Sequence, residues 1–304
     1  MRFRSVIATL ALAPLLLGAS APIRLQPSSR WVLDHPENSC RLARSFGEGK
    51  DRTVVVFEGV GQGEMDMLVV GKPVESWRVK VPAKFLPIQR RGFNGNAATS
   101  AKSGNPALLW PHVPMLLDST IERLAKRAFE ERPKPGVRPR PVDLAEEAAL
   151  RAEREQFAAA ANELEIDVRS EKPLILETGS LAEPVKMFDQ CNRDSLRASG
   201  VDPDLEDKIV LPPWPIDRLH WMSADDYPPS MWSTHNESEV SFRLLVDRAG
   251  NVTKCTSLSH FRHKEFDEVV CAKLTQRAKF APAELADGTK VPSYYVNRVI
   301  FQMH

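Results

Sequence analysis

The sequence predicts an α+β protein in two parts: an N-terminal α+β domain over residues 22–210 and a small β-β-α-β domain over residues 225–304. Three observations carry this. Residues 31–117 are dominated by β-branched and aromatic runs, the signature of strands. Strong helix formers take over from Ser119. In the last eighty residues the periodicity changes from two to that of a helix and back to two. A length of 304 residues accommodates two ordinary domains, and 42% hydrophobic with 27% charged residues is globular composition. Forty-one basic residues face 40 acidic ones, so the balance gives no footprint for nucleic acid. Twenty-four prolines against 15 glycines predict interrupted elements and rigid connections.

The chain opens as an export signal. Arg2 and Arg4 precede the apolar run "VIATLALAPLLL", residues 6–17, and Ala19-Ser20-Ala21 supplies small residues at the cleavage positions. Twelve residues fall short of the ~20 that span a bilayer. Residues 1–21 are therefore read as a signal peptide, and its removal leaves no membrane anchor. Without Arg2 and Arg4 the mature chain holds 39 basic and 40 acidic residues, a net charge of −1. An uncleaved inner-membrane anchor facing the periplasm is the alternative.

"RTVVVFEGV" (52–60) and "EMDMLVVGK" (64–72) read as strands. The glycines between them are a hairpin turn and not a phosphate loop, because no helix pattern follows. Residues 92–105, "GFNGNAATSAKSGN", read as a polar loop. "STIERLAKRAFEE" (119–131) is a helix with Ile121, Leu124 and Phe129 apolar, broken by four prolines in residues 132–141. A second helix follows over residues 142–165, then strands at "LEIDVRS" and "KPLILETG", then a helix from Ser180 that carries Cys191. Residues 211–224 read as a proline-rich, extended linker.

The C-terminal segment is the clearest. "SEVSFRLLV" places Val240, Phe242, Leu244 and Val246 on one face. "DRAGN" turns the chain at Gly250, and "VTKCTSLS" returns. Phe266, Val269, Val270, Leu274 and Ala278 form one stripe of a helix. "SYYVNRVIFQM" is a last long strand.

The set "DYP" (226–228), V-x-F-x-L-x-V (240–246), D-x-x-G-x-V (247–252), "KFAPA" (279–283), Asp287-Gly288 and V-x-x-V-x-F ending at Phe301 resembles the C-terminal domain of the TonB family. The resemblance covers about a quarter of the chain. It implies a protein-binding module that docks an outer-membrane or other envelope protein by β-strand addition. It also implies a periplasmic location, transport across the envelope as the setting, and neither a catalytic residue nor a cofactor. The chain departs from the energy transducers of that family in two respects: its N-terminal apolar segment is short, and residues 132–141 would extend only ~30 Å as a spacer. A transducer with an uncleaved anchor and an exported enzyme docked through this module are the alternative readings. No G-x-S-x-G or H-E-x-x-H motif supports the enzyme.

The last strand supplies the candidate partner-binding residues: Tyr294, Tyr295, Arg298, Val299 and Phe301. In a β-β-α-β order it falls at a sheet edge and carries a single charge, Arg298. The edge could instead be covered by the proline-rich linker or by a second copy of the chain in a homodimer. For Tyr294 and Tyr295 the simplest reading is one core and one surface side chain.

Four cysteines in an exported chain point to two disulfides, with three possible connectivities. Cys255 on a strand and Cys271 on the following helix are placed to pair, which leaves Cys40 with Cys191. His260 and His263 between the first pair raise a zinc reading, but C-x4-H-x2-H-x7-C is not a common zinc spacing, and no metal site is assigned.

Overall fold

The computed structural model describes residues 21–35, 39–61, 64–99, 104–132, 137–168, 172–258 and 263–303. Residues 1–20 of the signal segment and His260 lie outside the described residues. The protein is of mixed α+β class.

The N-terminal part is one ten-stranded sheet. Its strands are β1 (Ile23–Leu25), β2 (Val32–Asp34), β3 (Arg41–Phe46), β4 (Thr53–Gly61), β5 (Glu64–Gly71), β6 (Lys80–Leu86), β7 (Phe93–Thr99), β8 (Pro106–Trp110), β9 (Glu163–Ile166) and β10 (Leu174–Leu176). Their order is β1-β10-β9-β6-β7-β8-β5-β4-β3-β2. β4 and β5 form an antiparallel hairpin whose register reaches Gly61 opposite Glu64. The sheet curls onto itself. β1 pairs with β10 at one end, yet the residues just after it bond to β3 near the other end. Ser28 N donates to Ser45 O at 2.8 Å and Gly47 N to Gln26 O at 2.8 Å.

β7 corrects the polar-loop expectation for residues 92–105. "FNGNAAT" has Phe and Thr only at its ends and weak strand formers between, but it sits between β6 and β8 and exchanges backbone bonds with both. Gly95 is needed there because the Trp110 ring lies across it: an added Cβ would meet ring atoms at 2.6 Å. Trp110 is fully buried and donates from Nε1 to Val81 O at 3.0 Å. Tertiary packing thus overrides weak local propensity.

Three helices complete this part: α1 (Asp118–Glu130), α2 (Leu144–Ala160) and α3 (Ala182–Ala198). Asp143 caps α2 by accepting from Ala145 N at 2.9 Å, and Ser180 Oγ accepts from Ala182 N at 3.3 Å at the start of α3. Phe157 of α2 and Val185, Phe188 and Cys191 of α3 enter the same core as Phe46, Phe57, Phe85, Met67 and Trp110.

After α4 (Pro203–Glu206), β11 (Ile209–Leu211) and β12 (Trp214–Ile216), the chain passes α5 (Pro229–Ser233) into β13 (Ser238–Val246), β14 (Val252–Ser257) and α6 (Lys264–Arg277). Three short strands follow, β15 (Lys279–Ala281), β16 (Ala283–Leu285) and β17 (Lys290–Val291), and then β18 (Ser293–Phe301). The sheet β14-β13-β18 is antiparallel throughout. Val240, Phe242, Leu244 and Val246 are buried against Phe266, Val270, Leu274 and Ala278, while Val269 is half-buried. Gly250 closes the β13–β14 turn at φ +83°, where a Cβ would lie 1.8 Å from Phe280 O.

The proline-rich stretch 211–224 is bonded rather than free. β11 pairs with β16 and β12 with β15, so Trp214 faces Ala281 and Ile216 faces Lys279. Trp221 is buried, its ring 5.0 Å from Phe280 and 6.0 Å from Tyr295. Arg138, from the earlier proline-rich segment, clamps the same region. Its guanidinium pairs with Glu284 at 2.8 Å and donates to the carbonyls of Leu211, Pro212 and Pro282.

Candidate docking edge and its supports

β18 is a nine-residue strand with one neighbour. Every residue from Ser293 opposite Val246 to Phe301 opposite Ser238 pairs with β13, and no other strand among the described residues joins its far side. On that side the Arg298 N–H is taken by Asn297 Oδ1 at 2.8 Å, and the other outward N–H and C=O groups have no strand partner among the described residues.

The pleat divides the candidate residues between two faces. Tyr295, Val299 and Phe301 pack toward the C-terminal core, with the Tyr295 ring 5.0 Å from that of Phe280 and the Phe301 ring 4.7 Å from that of Phe266. Tyr294 and Arg298 lie on the opposite face and are half-buried. Arg298 is ion-paired with Glu239 across the ladder. The structure thus brings these five residues together on one strand, but what it leaves available is chiefly backbone. Ile300, which the sequence did not single out, is the large apolar side chain on this strand that stays exposed, at 62%.

The opposite face of the small sheet is also covered along β13, a feature not legible in the sequence. Ser241 and Arg243 of β13 are buried. Ser241 Oγ donates to Asp66 Oδ2 of β5 at 3.4 Å, and Arg243 donates to Ser195 and Ser199 of α3 at 3.4 Å each. Burial pulls the Arg243 guanidinium below its ordinary value. Nearby, burial pushes the Glu206 carboxyl up to about 7, opposed by the neighbouring Ser293 hydroxyl at the start of β18 and reinforced by Asp207 and Asp202.

Asp226 of "DYP" anchors the strand from the other side of α6. It is buried, accepts from Ser223 N at 2.8 Å, and pairs with Arg277 at 2.6 Å and Lys273 at 3.1 Å. Burial alone would raise its carboxyl, but hydrogen bonds from Arg277, Ser223 and Lys273 outweigh it and hold the group well below the carboxylate range. Tyr227 packs its ring 5.3 Å from that of Phe301 and donates to Asn236 O at 2.7 Å.

Two disulfides complete the framework: Cys255–Cys271, with Cα atoms 5.3 Å apart, joins β14 to α6, and Cys40–Cys191, at 6.0 Å, joins the residue before β3 to α3. Both thiols of the zinc reading are thereby bonded to each other, and His263 is exposed at the start of α6. A surface groove of about 630 Å³ is lined by Lys84, Gln89, Arg90, Asn162 and Glu163 with Leu86 and Pro87, and presents no serine, cysteine or histidine.

In comparison with known proteins, no family model, curated protein or solved structure matches this chain. Among the described residues no helix is long and apolar enough to cross a membrane. The two disulfides are compatible with an exported chain that folds in an oxidising compartment.

Proposed function

We propose that this is an exported, periplasmic protein-binding module that docks an extended segment of an envelope partner by strand addition onto β18. The open edge carries the reading. It is nine residues long, and its single charge, Arg298, is already engaged by Glu239. Natural sheets guard such edges with short strands, prolines or outward lysines, and this one has none of these. Added backbone bonds supply affinity in this mode, and flanking side chains such as Ile300 supply selection. The resemblance to the TonB C-terminal domain supports the same mode, with an outer-membrane protein as the partner. The motif residues behave as a supporting frame in this reading: Asp226 and Tyr227 of "DYP" brace α6 and Phe301, and Gly250 permits the β13–β14 turn.

Replacing Ile300 with Pro removes a backbone donor on the open side, because Arg298 and Ile300 turn their N–H groups away from β13 whereas Val299 faces it. Ile300→Lys is gentler and places a charge beside the edge while leaving the buried face untouched. Both variants are expected to lose partner capture in envelope crosslinking while circular dichroism stays that of the parent. Unchanged capture by a folded Ile300→Pro chain removes strand addition at β18 as the mode.

A further inference from the structure

We propose that His35, Cys40 and Cys191 form a redox-gated site for a soft monovalent cation, copper(I), which becomes available when a dithiol reduces the Cys40–Cys191 bond. The His35 Nδ1 atom lies 3.1 Å from Cys191 Sγ. The donor atoms of all three residues fall within 4.8 Å of one another, the only such convergence among the described residues. The three come from distant parts of the chain: His35 follows β2, Cys40 precedes β3, and Cys191 lies on α3, 151 residues beyond Cys40. His35 is exposed, whereas Cys40 and Cys191 are 0% and 3% exposed beside Phe46, Phe57 and Phe188. The imidazole is therefore the side of the cluster that faces solvent.

In the oxidised form the sulfurs are bonded to each other and the site is closed. Reduction breaks the S–S bond. Each sulfur gains one electron and one proton, and the dithiol leaves as its own disulfide. Copper(I) then displaces the two thiol protons, so two thiolates and one neutral imidazole surround it. Metal–sulfur bonds of ~2.3 Å require the sulfurs to move apart by side-chain rotation. The 6.0 Å separation of the Cα atoms leaves room for that. Bare thiolates in an apolar core are costly, and a bound cation offsets their charge. Two thiolates with imidazole are soft donors that suit copper(I). Zinc prefers four ligands, and no fourth His, Cys, Asp or Glu among the described residues joins the group.

The test uses the full chain, reduced with a phosphine and desalted without oxygen, then titrated with copper(I) against bicinchoninate. The reduced chain is expected to take one equivalent of copper(I) from the chelator, and the oxidised chain none. His35→Ala is expected to weaken binding by about tenfold or more. Cys255→Ser with Cys271→Ser removes any copper held by the other thiol pair and is expected to leave the equivalent in place. A reduced chain that does not compete overturns the proposal. So does an unchanged affinity in His35→Ala, or loss of the circular-dichroism spectrum on reduction.

Discussion

The two sheets of this molecule use the same backbone ladder and end it in opposite ways. The ten-stranded sheet curls until the segment after β1 reaches β3, and its terminal strands are only three residues long. Curling and short terminal strands leave little edge to pair with. The three-stranded sheet stops at β18, with nine residues open along one side. Helix α6 packs on one face, and β5 and α3 meet the β13 part of the other. What stays free among the described residues is edge, six residues at β14 and nine at β18, with the exposed Ile300 side chain beside the longer one. The first region holds and shields; the second is left able to pair.

Unequal staples should show the same division. Serine at both Cys40 and Cys191 releases a closure across 151 residues, worth about 5 kcal/mol in the chain-entropy model. Serine at Cys255 and Cys271 releases one of 16 residues, worth about 3 kcal/mol. Urea unfolding of the two double variants should give the larger loss for the first. The reverse order would contradict the view that this bond closes the N-terminal region as a unit.

Asp226→Ala probes the second region alone. It strands Arg277 and Lys273 beside a buried site and should cost about 3 kcal/mol. The pH sign follows from its lowered folded value. The carboxylate's contribution is present above its ordinary pKa of 3.8 and is lost as pH falls through the lower folded value. Trp221 fluorescence should report acid loosening in the parent below about pH 4 and a much flatter acid response in the variant. An equally steep response in the variant would place the acid sensitivity elsewhere.

Glu206 has the smallest expected effect and the opposite sign. Its folded value, about 7, exceeds the ordinary 4.5, so the folded chain binds the extra proton between them. The stability linked to that proton is full below 4.5 and is lost as pH rises through about 7. Glu206→Gln should stabilise the chain at pH 8 by about 1 to 2 kcal/mol and leave it unchanged at pH 4. A thermal melt at the two pH values reads the difference, and an equal shift at both would contradict it.

Regular patterns were legible in the sequence; long-range contacts were not. Alternation at 240–246 and the stripe from Phe266 to Ala278 are local consequences of pleat and helix pitch, and both match the buried faces. β7 was not legible, because Gly95 answers to Trp110, fifteen positions away. β11 and β12 are three-residue strands that exist only through β16 and β15. Arg138 caps carbonyls of Leu211, Pro212 and Pro282, contacts that no spacing encodes. His35 meets Cys191 across 156 positions. The candidate strand was visible from its composition, but the division of its side chains between two faces needed the fold.

The most direct measurement is a paired photo-crosslink in intact envelope. A photoreactive residue is placed at Ile300 on the open edge in one chain and at Val32, 57% exposed on the short terminal strand β2, in another. Strand addition at β18 gives an adduct to an outer-membrane protein from position 300, joined through an extended segment of that protein, and none from position 32. Adducts from both positions, or from position 32 alone, would contradict the claim that β18 is where this protein binds.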